Sequence, residues 1–168
     1  MLLRIADWSF DVDITRSMEY YAAEAAEHCT CGYCRNFYAA VDAHYPDLRE
    51  FFALFGVDIE APYEQMPFDV HDGIVYDSVY PVYGSILKNG KEPFWINDVS
   101  IQPLPIDSRF EADFATEHCF LLEVNTVNLP WVLPEPMENT ISPANEQSFL
   151  DKMMDRLLTK AMDNEIKS

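Results

Sequence analysis

Apolar and polar residues alternate over residues 8–14, with Trp8, Phe10, Val12 and Ile14 on one side and Ser9, Asp11 and Asp13 on the other. A period of two marks a half-buried strand. The period then lengthens. Thr15 or Ser17 is placed to cap a first helix, whose alanines favour helix and whose Glu19 lies near the positive end. Residues 29–34 form a turn in which Gly32 supplies backbone freedom. A second helix is expected over 35–44 and is stopped by Tyr45-Pro46. The third, over 47–55, is short and strongly apolar and ends at Gly56.

Beyond Val57 the texture becomes that of strands, expected near 66–71, 74–87, 92–102, 109–116 and 119–128. Asp72-Gly73 and Asn89-Gly90 are both hairpin signals. Pro81 interrupts the long second run and predicts a bulge or an edge. Residues 129–136 hold three prolines, which suits an extended exit segment and not a ladder. Ser142-Pro143 then opens a last helix, over 142–166. Its apolar stripe includes Phe149, Leu150, Met153, Met154, Leu157, Leu158, Ala161 and Met162. The stripe either covers the sheet or packs on a second copy of the chain, which makes a homo-oligomer one reading of this helix. Together the elements predict a single α+β domain over residues 1–168. It holds a strand that joins an antiparallel sheet of about five to six strands, three short helices and a C-terminal amphipathic helix.

Charge narrows the partners. The chain has 168 residues, 29 acidic against 11 basic, and a formal net charge of −18. Nucleic acid and anionic membrane surfaces both require a basic patch, and this composition offers none. No apolar run is long enough to span a bilayer. Asp7 falls where a signal peptide would continue its apolar run, so the expected compartment is the reducing cytoplasm. From Glu50 to Asp77 there are seven acids and no base, interleaved with aromatic residues. Glu60, Tyr63, Glu64, Asp69, Asp72 and Asp77 are thus candidates for a surface that meets a basic protein. An immunity or inhibitor role is one concrete version of a non-enzymatic acidic binding module. Solubility alone is the plainer account of the same charge.

The cysteines offer a second reading. Three of four stand together as Cys29-Thr30-Cys31-Gly32-Tyr33-Cys34, and Cys119 is remote. In a reducing compartment clustered thiols point to metal or redox chemistry before structural disulfides. Cys31-x-x-Cys34 is half of a zinc site, Cys29 a third ligand and Cys119 a fourth if the fold brings it near. Zinc is therefore the one cofactor the sequence suggests. Cys-Gly-Tyr-Cys leading into a helix also fits a thiol–disulfide oxidoreductase, but a helix and not a buried strand precedes it. The thiols also read as small packing groups at a helix–helix turn. No nucleophile elbow, phosphate loop or zinc-protease motif occurs, and the paired carboxylates of so acidic a chain carry no information, so enzyme activity is not expected.

The block Cys29-x-Cys31-x-x-Cys34-Arg35-Asn36-Phe37 resembles an uncharacterised family of bacterial hypothetical proteins. There a Cys-x-Cys-x-x-Cys-Arg-Asn-Phe motif follows a Tyr-containing helix. A proline, a short helix and a Gly-[Ile/Val]-Asp turn come next, matched by Pro46 and Gly56-Val57-Asp58. A Leu-Pro-Trp-Val-Leu exit segment is matched by residues 129–133. The resemblance implies no activity.

Overall fold

The computed structural model describes residues 1–24, 29–70, 73–106, 110, 114 and 118–137. Contacts divide the chain into two units, Met1–Glu135 and Pro136–Ser168, and the first carries every described helix and strand. The expected helix over 142–166 lies outside the described residues.

Seven strands form one antiparallel sheet: β1 (Leu2–Ile5), β2 (Trp8–Val12), β3 (Glu64–Val70), β4 (Gly73–Lys88), β5 (Phe94–Ile96), β6 (Val99–Pro105) and β7 (Cys119–Leu129). Their order is β1-β2-β4-β7-β6-β5, with β3 on the outer side of β4. Three helices, α1 (Ile14–Glu24), α2 (Gly32–His44) and α3 (Pro46–Ala53), precede β3. The class is α+β, dominated by strands.

β4 is the spine, and its length follows from an apolar run with few interruptions. One side pairs with β7 from Ile74 to Tyr83; the other pairs with β3 up to Val79 and with β2 from Gly84 onward. Pro81 stands in the gap between those two partners, where β4 has one neighbouring strand, as the edge expected from its sequence requires. α1 serves the backbone there. The Tyr21 hydroxyl donates to the Pro81 carbonyl at 2.8 Å, and the Tyr83 N–H donates to the buried Ser17 hydroxyl at 3.1 Å. Beyond the gap β2 crosses so closely that a Cβ at Gly84, whose φ is +138°, would overlap the Asp11 carbonyl. Only glycine fits that crossing.

Some expected strands changed. The run 92–102 is split into β5 and β6 by the pair Asn97-Asp98, with Asn97 in the left-handed region at φ 54°. Asn tolerates that conformation, so the turn needs no glycine. Asn89-Gly90, by contrast, does not join β4 to β5 as a hairpin, because β5 pairs only with β6. Gly90 instead leaves room for the Trp8 indole, which a Cβ would overlap. Residues 110 and 114 are not in a strand: the Phe114 N–H donates to the Phe110 carbonyl at 3.1 Å, one helical turn back. β1 was not foreseen; it folds back on β2 through Ala6-Asp7, with Ala6 at φ 51°.

The core is aromatic and lies between α2, α3 and the sheet. Phe37, Ala40 and Val41 form the buried face of α2, and Leu48, Phe51 and Phe52 that of α3. Phe52 meets Tyr80 with ring centres 4.8 Å apart, Phe37 meets Tyr76 at 5.1 Å, and Phe10 stacks on Phe120 at 5.3 Å. Full burial of each such ring contributes about 1.5–3 kcal/mol, so α2 is docked by its own apolar face. Among the described residues no helix is long and apolar enough to cross a membrane.

Candidate metal centre

The cysteine loop owes its shape to the start of α2. Cys31 is the N-cap, extended at φ −66° and ψ 158°, and its Sγ accepts the Cys34 N–H at 3.5 Å. The Arg35 N–H donates to the Cys31 carbonyl at 3.0 Å, the first helical bond. A thiol thus takes the place of the usual Ser or Asp cap, and the first turn returns Cys34 toward Cys29 and Cys31. The three Sγ atoms all lie within 4.8 Å of one another. Tetrahedral zinc with Zn–S near 2.3 Å holds its sulfurs about 3.8 Å apart, so closure by about 1 Å at most completes that geometry.

Cys29 and Cys31 are exposed, and Cys34 is half-buried. The Cys31 backbone N–H and then the Cys31 thiol donate to Cys29 and hold its thiol below the usual value. Burial pushes the Cys34 thiol well up, and the thiols of Cys31 and Cys29 add to the shift. Tyr38, one turn along α2, has its phenol raised by burial first and by Cys34 second. A cation among the three sulfurs reverses the cost at Cys34, because coordination deprotonates a thiol outright.

Behind the loop, α2 grips the exit segment. The buried Asn36 amide donates to the Pro130 carbonyl at 3.1 Å and to the Tyr76 hydroxyl at 3.2 Å, and its oxygen accepts the Val132 N–H at 2.7 Å. The Tyr76 hydroxyl donates in turn to the Tyr33 carbonyl at 2.9 Å, inside the cysteine loop. Gly32 faces Trp131 so closely that a Cβ there would sit 3.2 Å from the indole. Arg35 bridges the Thr30 carbonyl, at 3.1 Å, and the Glu135 carboxylate, at 2.5 Å. The Cys-Arg-Asn-Phe block and the Leu-Pro-Trp-Val-Leu block therefore meet in space, although Asn36 and Pro130 are 94 residues apart. Asn36 and Trp131 belong to the two blocks that carry the resemblance, but their part in holding the loop, and that of Tyr76, is not written in the spacing of those blocks. The available signal was an amide inside the apolar face of a helix, which requires buried partners.

Cys119 does not join the other thiols. It opens β7 opposite Tyr83 and packs against a small cluster of Val79, Phe110, Phe114 and Leu121. Tyr83 is seven residues along β4 from Tyr76, the residue that touches the cysteine loop, and seven strand residues span about 23 Å. Of the acidic candidates, Glu64 is exposed and Glu60, Asp69 and Asp77 are half-buried, and Tyr63 is exposed beside them; several also make contacts within the chain. Glu60 accepts from Arg49 at 2.7 Å, both Asp69 oxygens accept the Tyr33 hydroxyl at 3.1 Å, and Asp77 accepts the Thr126 N–H at 3.0 Å. Tyr63 packs on Phe110 and Phe114, Glu64 is exposed at the start of β3, and Asp72 lies outside the described residues. A thioredoxin-like context is not formed, since the element before the loop is α1 and the sheet is antiparallel.

No protein-family model, curated protein or solved structure matches this chain.

Proposed function

We propose that this protein binds a soft metal ion, zinc foremost, through Cys29, Cys31 and Cys34. The observation that carries the reading is the convergence of three Sγ atoms within 4.8 Å on a loop whose shape is fixed by the helix cap of Cys31. Thiolates select soft and borderline cations, and zinc is the commonest ion bound by Cys-x-x-Cys pairs. The ligands all lie within one six-residue loop, and α2 docks through Phe37, Ala40 and Val41 without them. Metal is therefore not the staple of the fold, and the apoprotein folds. The experiment is elemental analysis of untagged protein purified without chelator. One zinc per chain is expected, lost in Cys31→Ser and Cys34→Ser. No stoichiometric metal, with all thiols equally reactive before and after added zinc, overturns the reading.

A further inference from the structure

We propose that Cys31 and Cys34 are also a modification site: a peroxide joins them in a disulfide, and that disulfide and the metal exclude one another. The exclusion rests on the metal reading above; the disulfide does not. Its basis is the arrangement of the thiols. Cys31 is exposed, Cys34 is half-buried, and the Sγ atoms of Cys29, Cys31 and Cys34 lie within 4.8 Å of one another. The Cys31 Sγ already rests 3.5 Å from the Cys34 nitrogen, across the first turn of α2. Residues three apart on a helical turn hold their β-carbons about 5–6 Å apart, and a disulfide spans about 3.5–4.5 Å. A shift of about 1–2 Å therefore closes the bond. The two residues it would enclose are anchored to the rest of the fold. Gly32 lies against Trp131, while Tyr33 accepts the Tyr76 hydroxyl at its carbonyl and donates its own hydroxyl to Asp69. That anchoring keeps the two thiols together whether or not metal is bound.

Exposure and neighbourhood fix the order of events. Hydrogen peroxide reaches Cys31, whose sulfur attacks one peroxide oxygen. The O–O bond breaks, Cys31 becomes a sulfenic acid, and its thiol proton leaves in a first water. The Cys34 sulfur then attacks the Cys31 sulfur, the S–O bond breaks and the S–S bond forms. A second water carries off the Cys34 proton, so two electrons have passed from the thiol pair to one peroxide. From the zinc-bound protein the same electrons leave two thiolates, solvent supplies the two protons, and zinc departs with its oxidation state unchanged. A sulfenic acid beside a thiol condenses to a disulfide, which a reductant reopens; without a thiol in reach it goes on to sulfinic acid, which a reductant does not recover. The metal ligand is the thiolate, so one oxidation removes two of the three ligands and leaves Cys29 alone. Half-burial at Cys34 suits an uncharged disulfide.

The test treats the full chain, zinc-loaded and metal-free, with hydrogen peroxide and reads it by intact mass, thiol count and a chromophoric zinc chelator. The mass of the metal-free protein should fall by two hydrogens and its free thiols from four to two, with the link mapping to Cys31 and Cys34. The zinc-loaded protein should release its ion as those two thiols disappear, its affinity falling by more than about 100-fold, beyond the loss of one supporting contact. Dithiothreitol should restore thiols and zinc binding alike. Cys119→Ser should respond in the same way. Cys34→Ser should instead gain oxygen, in part beyond recovery by dithiothreitol. The proposal is overturned by protein that keeps its four thiols, gains oxygen without losing hydrogen, links Cys29 or Cys119, or still holds zinc once the link has formed. A reversible loss of two hydrogens in Cys34→Ser overturns it too. Reduced protein that takes up no zinc fails the metal reading instead, and the mass of the metal-free chain then decides the disulfide by itself.

Discussion

Cys34 and Cys119 are the same side chain in two settings, and the difference decides the chemistry of each. Cys34 stands in the first turn of α2 with two other thiols within 4.8 Å, and burial raises its thiol well above the usual range. Cys119 is a strand residue among aromatic side chains. Zinc affinity should therefore fall by more than about 10–100-fold in Cys34→Ser, beyond the loss typical of an outer-shell partner, and stay unchanged in Cys119→Ser. Isothermal titration with zinc checks both, and an equal loss in the two variants contradicts the assignment. The triple-cysteine spacing made the cluster legible in the sequence. The fate of Cys119 was not, because proximity across a sheet depends on register, and no local pattern fixes register at that distance.

At the scale of elements, the cysteine loop and the exit segment form one unit held by Asn36. All of its hydrogen-bonding atoms are used: both amide donations, to Pro130 and Tyr76, and the acceptance from Val132. Asn36→Ala leaves buried groups unpaired and should cost about 2 kcal/mol of stability. It should also weaken zinc binding by about tenfold, as loss of an outer-shell support does. Trp131 lies against Gly32, so zinc should change its fluorescence in the native protein and do so less in Asn36→Ala. Denaturation curves and a fluorescence titration check these outcomes; unchanged zinc affinity in a folded Asn36→Ala would separate the loop from its support. The helices and the long strand β4 were legible because their hydrophobic periods are strong. The hairpins were less so. Asn89-Gly90 carries the stronger turn signal, yet it makes space for Trp8, while Asn97-Asp98 makes the turn between β5 and β6. Tertiary packing decides which turn signal is used.

At the largest scale, an aromatic core forms within Met1–Glu135 of a chain whose formal net charge is −18, and the tyrosines of that core make its stability depend on pH. Burial, the largest cause in each case, raises the phenols of Tyr21, Tyr76 and Tyr80 above the ordinary value of 10.0. Each binds its proton more tightly folded than unfolded. The stability they contribute is fully present below the ordinary phenol value and is lost as the pH climbs above it. In an alkaline titration, the absorbance of these three should rise together with loss of the far-ultraviolet signal, after the exposed phenols have ionised. Simultaneous ionisation of all nine tyrosines in a still-folded chain would contradict that packing. The net charge of −18 was legible from composition, but the contacts of its members were not: Glu60 pairs with Arg49, Asp69 accepts from Tyr33 and Asp77 accepts from the Thr126 N–H. We propose that Cys29, Cys31 and Cys34 act as one metal site. Thiol counting on reduced protein, with and without one equivalent of zinc, tests it most directly. Zinc should protect these three cysteines from alkylation and leave Cys119 unaffected. Equal alkylation of all four with and without zinc contradicts it.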